Sequence, residues 1–298
     1  MNQLGDMGSI IITADDFGLS EDINEAVERA HRDGVLTSAS LMVGAPAAQD
    51  AIARARKLPA LKVGLHVVLV QGVPVLPRSE VPALLGRDGR FPDNLTLAGL
   101  KWFFSPASRR QLRREVAAQF TAFRATGLAL DHVNAHNHMH LHPTALSAIL
   151  AELTTDELNA TPPVAVRLPR EPWSASLRGG SSVSVAAMIE RGIMAPWLGL
   201  MEYRLKRRGI PHNHWLFGLA ATGRMNEATL LQVIDTLPKG VVEIYCHPAT
   251  RRAGAITNSM SGYDNEGEFN ALVSGRVRTR IVERRLRVGG FTDVCRPA

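Results

Sequence analysis

Cysteine is scarce in this chain, with only Cys246 and Cys295 among 298 residues. The two lie far apart and form no CxxC pair, which excludes a disulfide framework and a zinc–thiolate site. Long apolar runs are also missing, since none reaches the ~18 residues that a membrane span needs. The N-terminus lacks the basic stretch and apolar segment of a signal peptide. We therefore expect a protein of the reducing cytoplasm, with any membrane contact peripheral and at the inner face.

Aromatic residues make up only 5% of the chain, and no nucleic-acid recognition motif or aromatic platform accompanies them. The net charge is nevertheless +6. A basic balance is typical of proteins that bind nucleic acid, an anionic membrane surface or an acidic substrate. Because the first of these has no supporting motif, we expect no nucleic-acid partner. The sequence contains no indication of the oligomeric state.

Short apolar runs alternate with helical patterns, which indicates a parallel sheet. Strand-like runs occur at 9–14, 35–44, 61–70, 130–136, 164–169, 214–220 and 241–248. Helical patterns occur at 20–34, 46–59, 108–127, 144–153, 183–208, 226–237 and 267–288, and residues 71–105 read as loop. Seven or eight strand–helix units favour a (β/α) barrel, distorted or incomplete, over a doubly wound sheet. No GxGxxG motif follows the first strand to support the doubly wound sheet. We expect one domain over 1–298, with a helical lid insertion at about 172–212.

Polar residues suited to chemistry fall at the ends of four predicted strands. Asp15 and Asp16 end the first strand, His66 the third, His136 the fourth and His247 the seventh. The carboxyl ends of parallel barrel strands meet on one rim, where barrel enzymes keep their active sites. The sequence therefore predicts a site in which these side chains lie together.

Two adjacent carboxylates and several imidazoles have a clear chemical use. One carboxylate and two histidines can hold a divalent metal ion with positions left open. The second carboxylate can accept a proton from water, and a further histidine can protonate a leaving group. A metal phosphoesterase could use the same ligands, although such sites often hold two metals and more carboxylates. A sugar- or lipid-binding protein without catalysis is the non-enzymatic alternative.

The segment HVNAHNHMHLHP (132–143) contains five of the ten histidines. His132 is expected to be structural because it lies within the fourth strand, and His142 to cap the helix that starts with the following proline. His138 and His140 are expected to support the metal ligands rather than to bind the ion. His136 is thus the one strong ligand candidate in the segment.

Four motifs together, TADDFGLS, VGLHVVL, HVNAHNHMHLHP and EIYCHPA, resemble those of the YdjC-like carbohydrate deacetylases, the family of the chitooligosaccharide deacetylase. The resemblance extends from Ile11 to Val294. It implies metal-dependent hydrolysis of an N-acetyl group on an amino sugar, with a barrel-like fold. Carried over by motif, the ligands are Asp16, His66 and His136, the base that activates water is Asp15, and the acid is His247. By ligand type zinc is favoured for the single divalent ion, and the resemblance leaves magnesium or another divalent ion open.

Two further stretches, GVLTSASLMVGAPAAQDA and HPATRRAG, are most similar to the branch of the family associated with hopanoid biosynthesis. That branch implies an N-acetylglucosaminyl hopanoid lipid as substrate; soluble N-acetylated chitooligosaccharides are the alternative. Asn134 and Asn137 stand where chitooligosaccharide deacetylases tend to have aspartate and histidine, which points to a different substrate. The apolar stretch 183–205, with the basic end RLKRRG, suits a groove for a lipid tail and peripheral membrane contact; core packing is the other interpretation.

Two more residues are candidates for substrate contact. Arg167 ends the fifth strand and could meet a sugar hydroxyl, with a structural ion pair as the alternative. Phe217 could stack on a sugar face, with core packing as the alternative.

Overall fold

The computed structural model describes residues 8–153, 157, 163–172, 185–252 and 260–295; for 185–193 only the helical backbone is described. Its strands are β1 (Ser9–Phe17), β2 (Ser38–Leu41), β3 (Lys62–Val67), β4 (Leu130–Ala135), β5 (Ala165–Val166), β6 (Trp215–Phe217), β7 (Val241–Cys246) and β8 (Arg287–Val288). Each predicted strand is present, several of them shorter than the apolar run that indicated it.

All the strand pairs are parallel, and the sheet runs in the order β5-β4-β3-β2-β1-β7-β6. The short strand β8 pairs with the first residues of β1, beside the stretch that pairs with β2. No ladder between β5 and β6 occurs in the described part of the chain, although Leu216 N donates to Arg170 O at 2.7 Å nearby. The sheet is a curled half-barrel, which confirms the predicted distorted, incomplete (β/α) barrel.

Helices cover the outside of the sheet. Their bounds are α1 (Glu21–Asp33), α2 (Ala48–Ala55), α3 (Leu95–Phe104), α4 (Pro106–Ala125), α5 (Pro143–Glu152), α6 (Val185–Arg207), α7 (Glu227–Asp235), α8 (Asn265–Leu272), α9 (Gly275–Glu283) and α10 (Phe291–Val294). Local sequence explains the ends: Ser20 Oγ accepts from Ile23 N at 3.2 Å at the start of α1, as predicted. None of the helices in the described ranges is long and apolar enough to cross a membrane.

The core lies between the sheet and these helices. Strands β1, β2, β3 and β7 are buried along almost their whole length, as expected for a parallel sheet covered by helices. Apolar residues of α1 and α4, such as Ile23, Val27 and Phe120, pack against it from outside and are fully buried. A rigid sheet therefore carries the residues that lie at its carboxyl edge.

Two predictions of secondary structure were wrong. Residues 71–105, expected to be loop, contain α3, which begins where Asn94 Oδ1 accepts from Leu97 N; prolines at both sides hid this short helix. The single basic helix expected over 267–288 is two helices, because Ser274 caps a new one at Gly275, and residues 287–288 form β8.

The predicted lid at about 172–212 lies partly outside the described residues. Its described part is mainly α6, in which Met201 and Leu205 are fully buried whereas Leu200 and Tyr203 are exposed. The expected apolar groove over 183–205 is described for side chains only from residue 194 onward. In that part, one face of α6 is plain core and the other meets solvent.

Candidate metal centre

The sheet brings the polar strand-end residues to one edge. Asp15 and Asp16 lie in the last residues of β1, and His66 is the next-to-last residue of β3. His136 and His247 directly follow β4 and β7. Because these strands are parallel and adjacent or nearly so in the sheet, their carboxyl ends meet, as the sequence predicted.

Asp16, His66 and His136 each direct one ligand atom to a common point, and these atoms lie within 4.8 Å of one another. Asp16 Oδ1 is 3.2 Å from His66 Nε2 and 3.0 Å from His136 Nδ1. The other carboxylate oxygen, Oδ2, is buried and has no hydrogen-bond partner among the described residues. A buried carboxylate oxygen left without a partner is costly, and a cation would satisfy it. The residues therefore fit a divalent ion held by one carboxylate and two imidazoles.

The backbone at Asp16 has an unusual conformation that affects where its side chain points. Asp16 has a φ of 61°, in the left-handed region that a non-glycine residue rarely adopts. The pairing of β1 with β2 shifts in register between Ala14 and Phe17, so the strand bulges here. A bulge re-aims successive side chains, and such irregularities are common beside active sites. It allows Asp15 and Asp16, although adjacent, to face different partners.

Electrostatics keep the Asp16 carboxylate charged. Burial alone would raise the pKa of Asp16, but the imidazoles of His136 and His66 outweigh burial and hold this pKa well below its usual range. Burial likewise lowers the pKa of His66, and the carboxylates of Asp15 and Asp16 outweigh it, so the net pKa is raised. Both shifts have one cause: opposite charges meet at this edge of the sheet away from water.

Asp15 faces a buried arginine. Arg167 Nη1 donates to Asp15 Oδ2 at 2.6 Å and Nη2 to Oδ1 at 3.0 Å. Burial acts to raise the pKa of Asp15, but the Arg167 guanidinium and the His66 imidazole outweigh it and hold the pKa far below its ordinary value. Asp15 is therefore ionised at neutral pH and fixed in orientation by two bonds.

Arg167 is also held by Glu243, to which Nε donates at 3.0 Å and Nη2 at 2.6 Å. The arginine is 0% exposed, and every guanidinium nitrogen is bonded to a carboxylate. Arg167 therefore forms the structural ion pair that was one of its two interpretations. A contact with a sugar hydroxyl, the other interpretation, would have to displace a carboxylate from the guanidinium. Phe217 is 2% exposed and packs in the core, which agrees with the core-packing interpretation of this residue.

Asn134 lies between the ligand histidine and the arginine. With its Oδ1 toward His66 Nδ1, at 2.6 Å, its Nδ2 donates to Ser40 Oγ at 2.9 Å. In the swapped orientation the oxygen accepts from Arg167 Nη1 at 2.9 Å and Nη2 at 3.0 Å, and the nitrogen faces His66. A histidine that binds an ion through Nε2 carries its proton on Nδ1 and needs an acceptor there, which only the first orientation supplies. The amide oxygen can thus accept from His66 or from Arg167 but not from both, whereas the two oxygens of an aspartate could accept from both.

His247 is fixed through its backbone. Its N donates to Glu268 Oε2 at 2.5 Å, and its O accepts from Asn265 Nδ2 at 2.6 Å. The ring packs at 5.5 Å from that of Tyr245 and 5.1 Å from that of Tyr263, with a buried Nδ1 that has no partner among the described residues. Its imidazole is close enough to contribute to the low pKa of Asp15. His247 is therefore fixed at the same edge of the sheet as Asp15, with a ring nitrogen that no described residue bonds.

Two of the remaining histidines of the 132–143 segment, His140 and His142, bond to the backbone. His140 Nδ1 accepts from Ala135 N at 3.1 Å, and its Nε2 lies 3.1 Å from Arg167 O. Burial and the Arg167 charge lower the pKa of His140 to about 3, so the ring is neutral. The His138 ring packs edge to face against that of Tyr245 at 5.1 Å, and loss of water around the ring, with the Arg167 charge next, holds its pKa well below the usual range. His142 caps α5, as predicted, by accepting from Thr144 N at 3.2 Å.

The sequence analysis missed Glu243 and Glu268, the carboxylates behind Arg167 and His247. Both are almost completely buried. A signal for the first existed, because Glu243 is a lone charge in the otherwise apolar strand VVEIYC. A charge in a buried strand is rare unless it is paired.

Comparison with known proteins agrees with this geometry. The model of the YdjC-like protein family matches residues 9–283. A carbohydrate deacetylase of Brevibacillus brevis is 29% identical over 96% of this chain and 99% of its own length. A carbohydrate deacetylase of Vibrio vulnificus is 41% identical over 134 residues, which are 45% of this chain and 50% of that protein.

Among solved structures, a candidate cellobiose-phosphate cleavage protein of Enterococcus faecalis superposes with a TM-score of 0.72. It is 25% identical in sequence, and the match covers 96% of this chain and 98% of the other. The fold and the family pattern thus agree over nearly the whole chain. Since the pattern runs through every element that carries the site, from β1 to α9, this chain belongs to the YdjC-like protein family.

Proposed function

We propose that the protein is a metal-dependent N-deacetylase that hydrolyses the acetamide of an amino sugar. The observation that carries this is the buried convergence of Asp16, His66 and His136 on one point, with Asp16 Oδ2 unpartnered and a second carboxylate next to it. The relatives named as carbohydrate deacetylases support the same reaction. Amide hydrolysis needs an activated water, a polarised carbonyl and a proton for the amine.

The chain's own residues divide these tasks. A divalent ion, when bound by Asp16, His66 and His136, supplies Lewis-acid activation of water and of the acetyl carbonyl. Asp15 accepts the proton of the attacking water, and its two bonds from Arg167 keep it ionised and correctly aimed. His247 carries a proton to the departing nitrogen, with its backbone anchored by Glu268. Zinc is the favoured ion because imidazole and carboxylate ligands suit it, and magnesium remains the alternative.

For the substrate, we favour an N-acetylglucosaminyl hopanoid lipid, which would yield the glucosaminyl lipid and acetate. Two features support a substrate other than a plain chitooligosaccharide. Asn134 stands beside His66 in place of a carboxylate, and Asn137, at the second differing position, is exposed and donates through Nδ2 to Gln71 Oε1 at 2.8 Å. An apolar, solvent-exposed side of α6 would suit a lipid. The enzyme would then meet its substrate as one domain with α6 as part of a lid.

The deciding experiment measures acetate release by the purified protein from an N-acetylglucosaminyl hopanoid and from N,N′-diacetylchitobiose. Each reaction is run with and without a chelator, and after the metal has been restored. Chelator-sensitive release from the lipid alone supports both the chemistry and the substrate. Release from chitobiose alone keeps the deacetylase and rejects the lipid, and no release from either by metal-loaded protein rejects the proposal.

A further inference from the structure

The structure carries an unusual apolar surface outside the metal centre. Eight large hydrophobic side chains are exposed among the described residues, and six of them lie on just two helices, α3 and α6. They are Leu97, Leu100, Phe103, Phe104, Leu200 and Tyr203. We call this set the α3–α6 patch. Scattered exposed leucines are normal, but a cluster of this kind marks an interaction surface.

The patch is not an unfinished core. In α3 the residues Ala98, Gly99 and Trp102 are already buried and form its inner face. Leu97, Leu100 and Phe104 recur at helical spacing on the opposite side, where a helix of a globular protein normally presents polar residues. Leu97 is 61% and Phe104 72% exposed. The helix is therefore apolar on both sides, and its outer side lacks a partner in the described part of the chain.

The two helices form one surface beside the metal centre. The rings of Phe103 on α3 and Trp197 on α6 meet edge to face at 6.5 Å. Phe103 and Trp102 both contact the ring of His142, at 6.0 and 5.4 Å. His142 lies six residues after the ligand His136 on a segment that runs directly from the centre to the patch.

Along α3 and the start of α4, the charge beside the patch has one sign; on α6, Glu202 is paired with Arg170 and Lys206. Residues 95–114 contain five Lys or Arg residues and no Asp or Glu. Lys101 lies on the apolar outer side of α3, and Arg109 and Arg110 are in the first turns of the helix that begins two residues after Phe104. These three cations form no ion pair with any residue that the structure describes. A second copy of the chain, docked by this patch, would bring like charges together, which disfavours self-association.

We propose that the α3–α6 patch docks on an anionic phospholipid bilayer. Protruding leucine and aromatic side chains can enter the boundary between headgroups and acyl chains. Lysine and arginine beside them are attracted to anionic lipid headgroups. Docking in this way would place the segment 136–142, and so the metal centre, near the membrane. The inference does not depend on the proposed reaction, because it concerns binding without substrate.

The test is co-sedimentation of the full-length protein with vesicles of phosphatidylcholine alone and of phosphatidylcholine mixed with phosphatidylglycerol. We expect binding to the mixed vesicles only, weakened by added salt because the charge attraction is screened. The double variant Leu97→Ser/Phe104→Ser should bind at least roughly tenfold more weakly, since it removes apolar area that leaves water on docking. Its thermal unfolding midpoint should stay near that of the wild type, since both side chains are exposed.

The matched control is Val282→Ser. Val282 is 70% exposed on α9 among the arginines of that helix, so it is an apolar residue in basic surroundings outside the patch. This variant should bind the mixed vesicles like the wild type. Light scattering across a range of protein concentrations measures self-association of the same samples. The proposal is overturned if wild type does not bind mixed vesicles, if it binds neutral vesicles equally, if the double variant binds like the control, or if the patch forms a dimer instead.

Discussion

Arg167 is the cation on which two buried carboxylates depend, and its removal has an effect whose size can be worked out. In Arg167→Met, Asp15 and Glu243 stay buried without the guanidinium that pairs with both of them. Breaking a buried pair by removing one partner costs about 3–5 kcal/mol. At about 2 °C per kcal/mol for a chain of this size, the unfolding midpoint should fall by roughly 6–10 °C. The variant should still fold, since domains have about 5–15 kcal/mol of stability.

The effect should depend on pH in a defined direction. Arg167 helps to hold the pKa of Asp15 far below its ordinary value. A depressed carboxyl pKa stabilises the folded protein fully above the unfolded-state pKa, and this contribution is lost as pH falls toward the folded-state pKa. Without Arg167, the buried carboxylates are stabilised by protonation instead. The difference in unfolding free energy between wild type and variant should therefore shrink as the pH is lowered from neutral into the acid range.

The assay is thermal and urea unfolding of both proteins in the presence of chelator, so that altered metal affinity makes no contribution. Arg170→Met is the matched control, because Arg170 pairs with Glu202 in a geometry that leaves the side chains 31% and 22% exposed. Such a pair contributes about 1 kcal/mol or less. The double variant Arg167→Met/Glu243→Gln should recover part of the lost stability. Equal destabilisation by Arg167→Met and by the control would refute the reasoning.

Four further variants test the site and the packing beneath it. His136→Ala should lose the metal, measured by elemental analysis after dialysis, whereas Asp15→Asn should keep it and lose at least about a hundredfold in turnover; stoichiometric metal in the first, or wild-type turnover in the second, would contradict the assignments. His247→Ala should retain metal yet release acetate about a hundredfold more slowly, and an unchanged rate would exclude it as the acid. Gly64→Ala should destabilise the protein by about 1–3 kcal/mol in urea unfolding, because the added Cβ would lie 2.4 Å from the buried His132 ring; no shift in the midpoint would show that β3 can move.

The sequence predicted the meeting of the strand-end residues because it depends only on the sheet being parallel. Asp16, His66 and His136 then fall on one edge whatever the details of packing. The partners of Asp15 required more knowledge. Arg167 reaches it from β5, at the far end of the sheet order, and the curl of the sheet that brings them together is a tertiary property.

Other features could not be predicted for physical reasons that are local. The left-handed φ of Asp16 occurs at a bulge in the pairing of β1 with β2. The apolar pattern of the sequence does not indicate such a bulge. Helix α3 escaped prediction because prolines lie on both sides of it and because its outer side is apolar, so the usual alternation of apolar and polar faces is missing. The orientation of the Asn134 amide depends on whether its oxygen accepts from His66 Nδ1 or from Arg167. An ion bound at His66 Nε2 would place the imidazole proton on Nδ1 and so favour the first orientation.

The strands that pair with β1 are made at very different times during synthesis. Its partner β2 follows closely in the chain, whereas its partners β7 and β8 are made only after β2 to β6. All three residues that could hold the ion occur by residue 136, so they are synthesised before Arg167, Glu243 and His247. An early ion could therefore hold the first half of the sheet while the partners of Asp15 are still being made. The capacity to bind metal should precede the capacity to catalyse.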